Sequence, residues 1–128
     1  MTRKEILIVE DEESLLKLQS LLLASRGYSV NGVTDGRMAL DWVSRKKPDL
    51  VLLDIMIPEI DGFEVCRQLK SEETTKNIPV IMVTAKKRRE DMDRSEQVGA
   101  DGYITKPFKS LMLLEEIQRL LDGGLEPA

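Results

Sequence analysis

The stretch Ile6-Leu7-Ile8-Val9-Glu10-Asp11-Glu12-Glu13 decides the fold. Aliphatic residues run without a polar break and stop at a block of acids. A strand with one wet face alternates apolar and polar residues. A continuous short run suits a strand buried on both faces, the pattern of a parallel sheet. Leu50-Val51-Leu52-Leu53 and Val80-Ile81-Met82-Val83 repeat it, and Tyr28-Ser29-Val30 and Tyr103-Ile104 are weaker candidates.

Helical spacing fills the gaps between these runs. Leu15, Leu18, Leu22 and, offset by one, Leu21 predict an apolar stripe that Gly27 stops. Ala39, Leu40 and Val43 predict a second helix. It ends in Arg45-Lys46-Lys47, which suits a helix C-terminus, and Pro48 blocks continuation. Phe63, Cys66 and Leu69 space a third, and Met92 to Val98 a fourth, stopped by Gly99. Leu111, Leu114, Ile117, Leu120 and Leu121 space a fifth, with Ser110 as its expected cap. Strand and helix therefore alternate, which predicts an α/β domain. Right-handed crossovers put helices on both faces of the sheet. A closed barrel needs eight units and about 250 residues. The 128 residues here predict an open five-stranded parallel sheet, a doubly wound (βα)5 domain of flavodoxin-like topology. Residues 1–122 are the expected domain, and 123–128 read as a tail or the start of a linker.

Composition removes several function classes. Aromatics are 4% of the chain, so the core is aliphatic. The formal net charge of −4 argues against direct nucleic-acid binding by this chain, which needs a basic surface. One cysteine allows no intramolecular disulfide and fits a reducing compartment. The absence of histidine excludes Ser-His-Asp and Cys-His catalysis, zinc sites built on histidine, and a phosphohistidine on this chain. No apolar run approaches the roughly 18 residues of a membrane span, and Met1–Glu5 opens no signal peptide, so the cytoplasm is the expected location.

Ligands of open parallel sheets bind beyond the carboxyl ends of the strands. Past the first run stand Glu10 and Asp11, past the next long run Asp54, at the end of the fourth strand Thr84, and past the fifth Lys106. Taken singly, each residue is ordinary for a strand end, and acids at 11–13 also suit the dipole of a following helix. Their convergence from distant segments is what points to a site. Close carboxylates repel, and a hard cation such as Mg²⁺ takes one or two of them together with water and a phosphate oxygen. Asp11 and Asp54 could supply those carboxylates. A carboxylate can also attack phosphorus to form an aspartyl phosphate, with the metal, Lys106 and the Thr84 hydroxyl neutralising the equatorial oxygens.

These residues carry a family resemblance. Ile6–Glu12, Leu52-Leu53-Asp54-Ile55-Met56-Ile57-Pro58-Glu59-Ile60-Asp61-Gly62, Val83-Thr84-Ala85, Gly99-Ala100-Asp101 and Tyr103-Ile104-Thr105-Lys106-Pro107-Phe108 resemble, in order and spacing, the chemotaxis-regulator-like receiver domain of bacterial two-component response regulators. The likeness runs from Lys4 to about Leu121. It implies a signalling switch rather than an enzyme. Asp54 is then the acceptor of a phosphoryl group from a sensor histidine kinase or a histidine phosphotransfer protein. The resemblance implies Mg²⁺ held by Asp11, Asp54 and the Met56 main-chain carbonyl, with Glu10 acting through water. It implies Thr84 and Tyr103 as a switch pair, and Lys106 as the partner of the phosphate, joined to Pro107 by a cis bond. Phosphorylation would alter the face bearing the fourth helix, fifth strand and fifth helix, and so control a downstream protein or effector domain. The chain is expected to be a monomer or a phosphorylation-dependent dimer. Gly102 and Met92 depart from the acidic and basic residues expected at such a dimer face.

Competing classes fit less well. A haloacid-dehalogenase-like phosphatase needs a second Asp two residues past the nucleophile, where Met56 stands. A flavodoxin-like electron carrier needs a phosphate loop where Glu10–Glu13 would repel the anion. A pseudo-receiver that only mediates contacts is favoured by nothing, since the matching site residues are all present. Gly62, after Asp61, reads as turn chemistry, where a positive φ is tolerated. Cys66 reads as a small buried hydrophobe, and Trp42 as a packing residue. Lys86-Lys87-Arg88-Arg89 reads as a solvated segment ahead of a helix, with an acidic partner as the alternative. Met56, by its position in the resemblance, is expected to hinder water and slow self-dephosphorylation.

Overall fold

A computed structural model describes residues 3–122; the predicted tail, 123–128, lies outside the described residues. Strands β1 (Glu5–Val9), β2 (Ser29–Val33), β3 (Leu50–Leu53), β4 (Val80–Thr84) and β5 (Gly102–Thr105) alternate with helices α1 (Glu13–Ser25), α2 (Gly36–Lys46), α3 (Gly62–Ser71), α4 (Arg89–Gln97) and α5 (Ser110–Leu121). All strand pairings are parallel, in the order β2-β1-β3-β4-β5. That is the doubly wound, flavodoxin-like order, and its switch point lies between β1 and β3.

The three continuous apolar runs are the three central strands. Each feeds two cores at once, because successive side chains leave a strand on opposite faces. Leu7, Val9, Val51, Leu53, Val80 and Met82 join one cluster with residues of α2 and α3. Ile6, Ile8, Leu50, Leu52, Ile81 and Val83 join the other with Leu23 of α1 and Leu113, Leu114 and Ile117 of α5. The weak signals at Tyr28–Val30 and Tyr103–Ile104 belong to the two edge strands, which are only partly covered.

Several local expectations are corrected. The α1 stripe is turned: Leu18 and Leu21 are each 63% exposed, while Gln19 and Leu23 are buried. Leucines surround this helix, so spacing alone does not choose its inward face. Leu111 likewise faces out, and Leu113 takes the buried place. Ser110 does not cap α5. It is the first helical residue, and the N-cap is Lys109, with no side-chain hydrogen bond. Gly62 does not need positive φ, since the left-handed glycines are Gly27 and Gly99. It is small because a Cβ there would lie 2.4 Å from the Asp54 carbonyl oxygen. The left-handed residue of that loop is Glu59, with φ of 71°. α4 starts ahead of Met92, at Arg89. Among the described residues, no helix is long and apolar enough to cross a membrane.

Candidate functional site

Hydrogen bonds that continue the sheet beyond the strands fix the backbone at its carboxyl edge. The Glu10 amide donates to the Val33 carbonyl (3.1 Å), the Asp54 amide to the Val9 carbonyl (3.1 Å), and the Lys106 amide to the Thr84 carbonyl (2.8 Å). Residues from β1, β3, β4 and β5 thus stand on one rim. Carboxylate oxygens of Glu10, Asp11 and Asp54 lie within 4.8 Å of one another. Glu10 and Asp54 are buried, while Asp11 is exposed.

Lys106 compensates the two buried acids. Its Nζ donates to Glu10 Oε1 (2.5 Å) and to Asp54 Oδ2 (2.9 Å). Burial works against its charge, but hydrogen bonds from Nζ to Glu10 and Asp54 and their negative charges outweigh it. The Lys106 pKa therefore lies above its ordinary value. The remaining oxygens are also engaged. Asp54 Oδ1 accepts from the Met56 amide (3.1 Å), and Glu10 Oε2 from the Glu12 amide (3.1 Å). The Lys106–Pro107 bond is cis, as expected.

Thr84 is fully buried at the end of β4, and its Oγ1 accepts from the Lys86 amide at 3.4 Å. Tyr103 on β5 reaches the same segment, donating its hydroxyl to the Lys86 carbonyl (2.7 Å). Burial, with Asp91 and Asp54 nearby, raises the Tyr103 pKa, so the hydroxyl keeps its proton as a donor. Thr84 and Tyr103 are therefore joined through the main chain of one residue. Met56, two residues past Asp54, is 58% exposed.

The structure thus gathers Glu10, Asp11, Asp54 and Lys106, brings Met56 onto Asp54 through its amide, and links Thr84 and Tyr103 to each other through the Lys86 main chain. Reading the sequence missed two participants. Glu12 caps α1 by accepting from the Leu15 amide (3.3 Å), a role its place ahead of a helical pattern could have signalled. The Lys86 main chain left no signal, because any residue supplies the same groups. Cys66 is buried, as expected. Its Sγ lies 3.5 Å from the Val98 carbonyl oxygen, and burial pushes the thiol up to about 11.

Comparison with known proteins defines the class. The family model for the response regulator receiver domain matches residues 6–118, and the chain belongs to that family. It is a receiver domain of two-component response regulators, a phosphorylation-dependent signalling module. Particular relatives follow. The chain is 40% identical to the response regulator PleD of Caulobacter vibrioides over 115 residues, covering 90% of this chain and 25% of PleD. It is 42% identical to the sensory transduction protein RegX3 of Mycobacterium tuberculosis over 119 residues, covering 93% of this chain and 51% of RegX3. The chain therefore spans between about a quarter and about half of these relatives. Among solved structures, the receiver domain of the sensor histidine kinase PA1611 from Pseudomonas aeruginosa superposes with a TM-score of 0.88 at 32% identity, covering 94% of this chain and 99% of that one. That structure holds a magnesium ion coordinated in its active site cleft.

Proposed function

We propose that Asp54 is the phosphoacceptor of this receiver. One observation carries the reading: a buried carboxylate at the switch point of the sheet has a lysine on one oxygen and two further acids beside it. The Asp54 carboxylate attacks the phosphorus of a phosphohistidine on a sensor kinase or phosphotransfer protein. An O–P bond forms, the P–N bond breaks, and the imidazole leaves with the electron pair. Lys106, released from one of its two acids, pairs with a phosphoryl oxygen. Thr84 donates its hydroxyl to another, which draws on the Lys86 segment that Tyr103 also holds. Charge-assisted hydrogen bonds of this kind to a dianion are strong enough to shift a two-state element.

The donor set suits a hard divalent cation: carboxylates and a main-chain carbonyl, with no soft ligand. Asp11, Asp54 and the Met56 carbonyl would hold Mg²⁺, with Glu10 engaged through water. When bound, the ion supplies positive charge against the phosphoryl oxygens. The chain acts as a switch that assists its own phosphorylation and dephosphorylation, not as an enzyme on a separate substrate. It works in the cytoplasm, as the 1–122 domain of a regulator or alone. Its partners are a donor protein and a downstream protein or effector domain, with no direct contact to nucleic acid or membrane. It is a monomer, or a dimer when phosphorylated.

The test is intact-protein mass after incubation with Mg²⁺ and acetyl phosphate. Wild type gains one phosphoryl group and Asp54→Asn gains none. A folded wild type with no Mg²⁺-dependent adduct overturns the reading. The exposed Met56 side chain hinders attacking water, so Met56→Asn, which can orient a water, shortens the phosphorylated lifetime. One added hydrogen bond corresponds to about tenfold. A greatly lengthened lifetime would refute this.

A further inference from the structure

The turn that opens α2 is pressed against the loop that follows Asp54. The Gly36 amide donates to the Pro58 carbonyl (3.1 Å). A Cβ on Gly36 would lie 2.0 Å from the Ile60 carbonyl oxygen and 2.9 Å from both the Ile60 carbonyl carbon and Val65 Cγ2. The nearest of these atoms are main chain and cannot swing aside. Gly36 is not among the positive-φ residues, so closeness rather than backbone freedom requires glycine here. Between Pro58 and Ile60 the chain passes through Glu59, whose φ of 71° is unfavourable for a residue with a side chain. The Arg37–Glu59 pair, 3.9 Å apart and exposed, is too weak to impose that conformation.

The clamp reaches the site through a short series of bonds. The Ile60 amide donates to the Pro58 carbonyl (2.9 Å), and the Ile57 and Gly62 amides donate to the Ile55 carbonyl (3.1 and 2.9 Å). The next residue, Met56, gives its amide to Asp54 Oδ1. We infer that Gly36 is a positioning residue for the acceptor site: by having no side chain, it lets the β2–α2 turn seat the loop of residues 55–61 so that the Met56 main chain stays on the Asp54 carboxylate. What the site binds rests on the reading proposed above. The position of Gly36 is independent of it.

The test uses the full chain and Mg²⁺ alone, titrated by calorimetry, while the Met56 amide is followed by NMR. Gly36→Ala introduces the clash. Glu59→Pro reaches the same loop from an exposed position, because proline cannot adopt positive φ. Gly27→Ala is the control: it strains a left-handed backbone (φ of 93°) with no atom within 4 Å of the new Cβ. Gly36→Ala and Glu59→Pro each lose roughly tenfold in Mg²⁺ affinity, the usual effect of disturbing a group that orients a ligand. Both move the Met56 amide resonance, and Gly27→Ala does neither. If Gly36→Ala does not fold, Glu59→Pro decides. Wild-type affinity in the folded variants overturns the inference, as does an equal loss in Gly27→Ala. A wild type that takes neither Mg²⁺ nor a phosphoryl group from acetyl phosphate overturns the site reading itself, and the positioning role with it.

Discussion

Helices α3 and α4 both follow loops that line the proposed acceptor site, yet they are held in opposite ways. In α3 the Asp61 side chain accepts from the Glu64 amide (2.9 Å) and caps the first turn. The helix buries Phe63, Val65, Cys66 and Leu69. α4 has Arg88 at its N-cap and no side-chain cap bond, and its one buried residue is Ser95. Among the described residues, the Ser95 hydroxyl is the one buried side-chain polar atom without a partner. Cations at Arg88 and Arg89 oppose the helix dipole, and Glu90 and Asp91 offset them only in part. A contact that ties α4 to α3 is Arg94 over the Phe63 ring, 4.2 Å from its centroid. The contrast teaches that the site at the carboxyl edge of the sheet has a fixed wall and a loose wall. The loose wall carries the segment that Thr84 and Tyr103 share.

The largest effect that tests this contrast is Phe63→Ala. Truncating a buried phenylalanine costs about 3–5 kcal/mol, and here it also removes the cation–π partner of Arg94. Denaturant unfolding measures it, and a loss no larger than that of Met92→Ala on α4 would erase the difference between the walls. Thiol labelling sharpens the comparison. Cys66 reacts only on global opening, whereas Ser95→Cys in a Cys66→Ala background reacts through local opening of α4, faster by at least about an order of magnitude. Equal rates would mean that the two helices open together. The Cys66 shift also sets a pH window. Its folded pKa, about 11, lies above the ordinary 9.0, so its contribution to stability is complete below pH 9 and is lost as pH rises toward 11. Melts of wild type against Cys66→Ala at rising pH measure it. Ser95→Ala removes the orphan hydroxyl and raises stability by about 1 kcal/mol; a loss would mean that the hydroxyl has a partner in solution. The smallest effect is Arg88→Ser, which supplies the missing cap acceptor and adds about 0.5 kcal/mol, read as a small rise in the thermal midpoint.

What the sequence disclosed follows from how local each cause is. The central strands were legible because burial on both faces leaves an unbroken aliphatic run. The rim residues were legible because each stands at or just past the end of a strand, so a correct strand places it. The inward face of α1 was not legible, since leucines ring the helix and only contact with the sheet selects Leu23 over Leu18 and Leu21. The reason for Gly62 was misread because closeness to the Asp54 carbonyl is a tertiary fact. The clamp at Gly36 and the Lys86 main-chain link were invisible for the same reason. Both involve backbone atoms that look alike at every position.

Lys106 has a consequence for the order in which the molecule assembles. Its ammonium joins β5 to the ends of β1 and β3, from which β4 separates it in the sheet, bridging 96 residues to Glu10 and 52 to Asp54. Contacts so distant along the chain form only after the closure entropy of the intervening loops has been overcome. An incompletely folded chain, or one still emerging from the ribosome, therefore lacks the lysine that compensates its acceptor. A rim with its lysine in place therefore marks a chain whose β5 has docked.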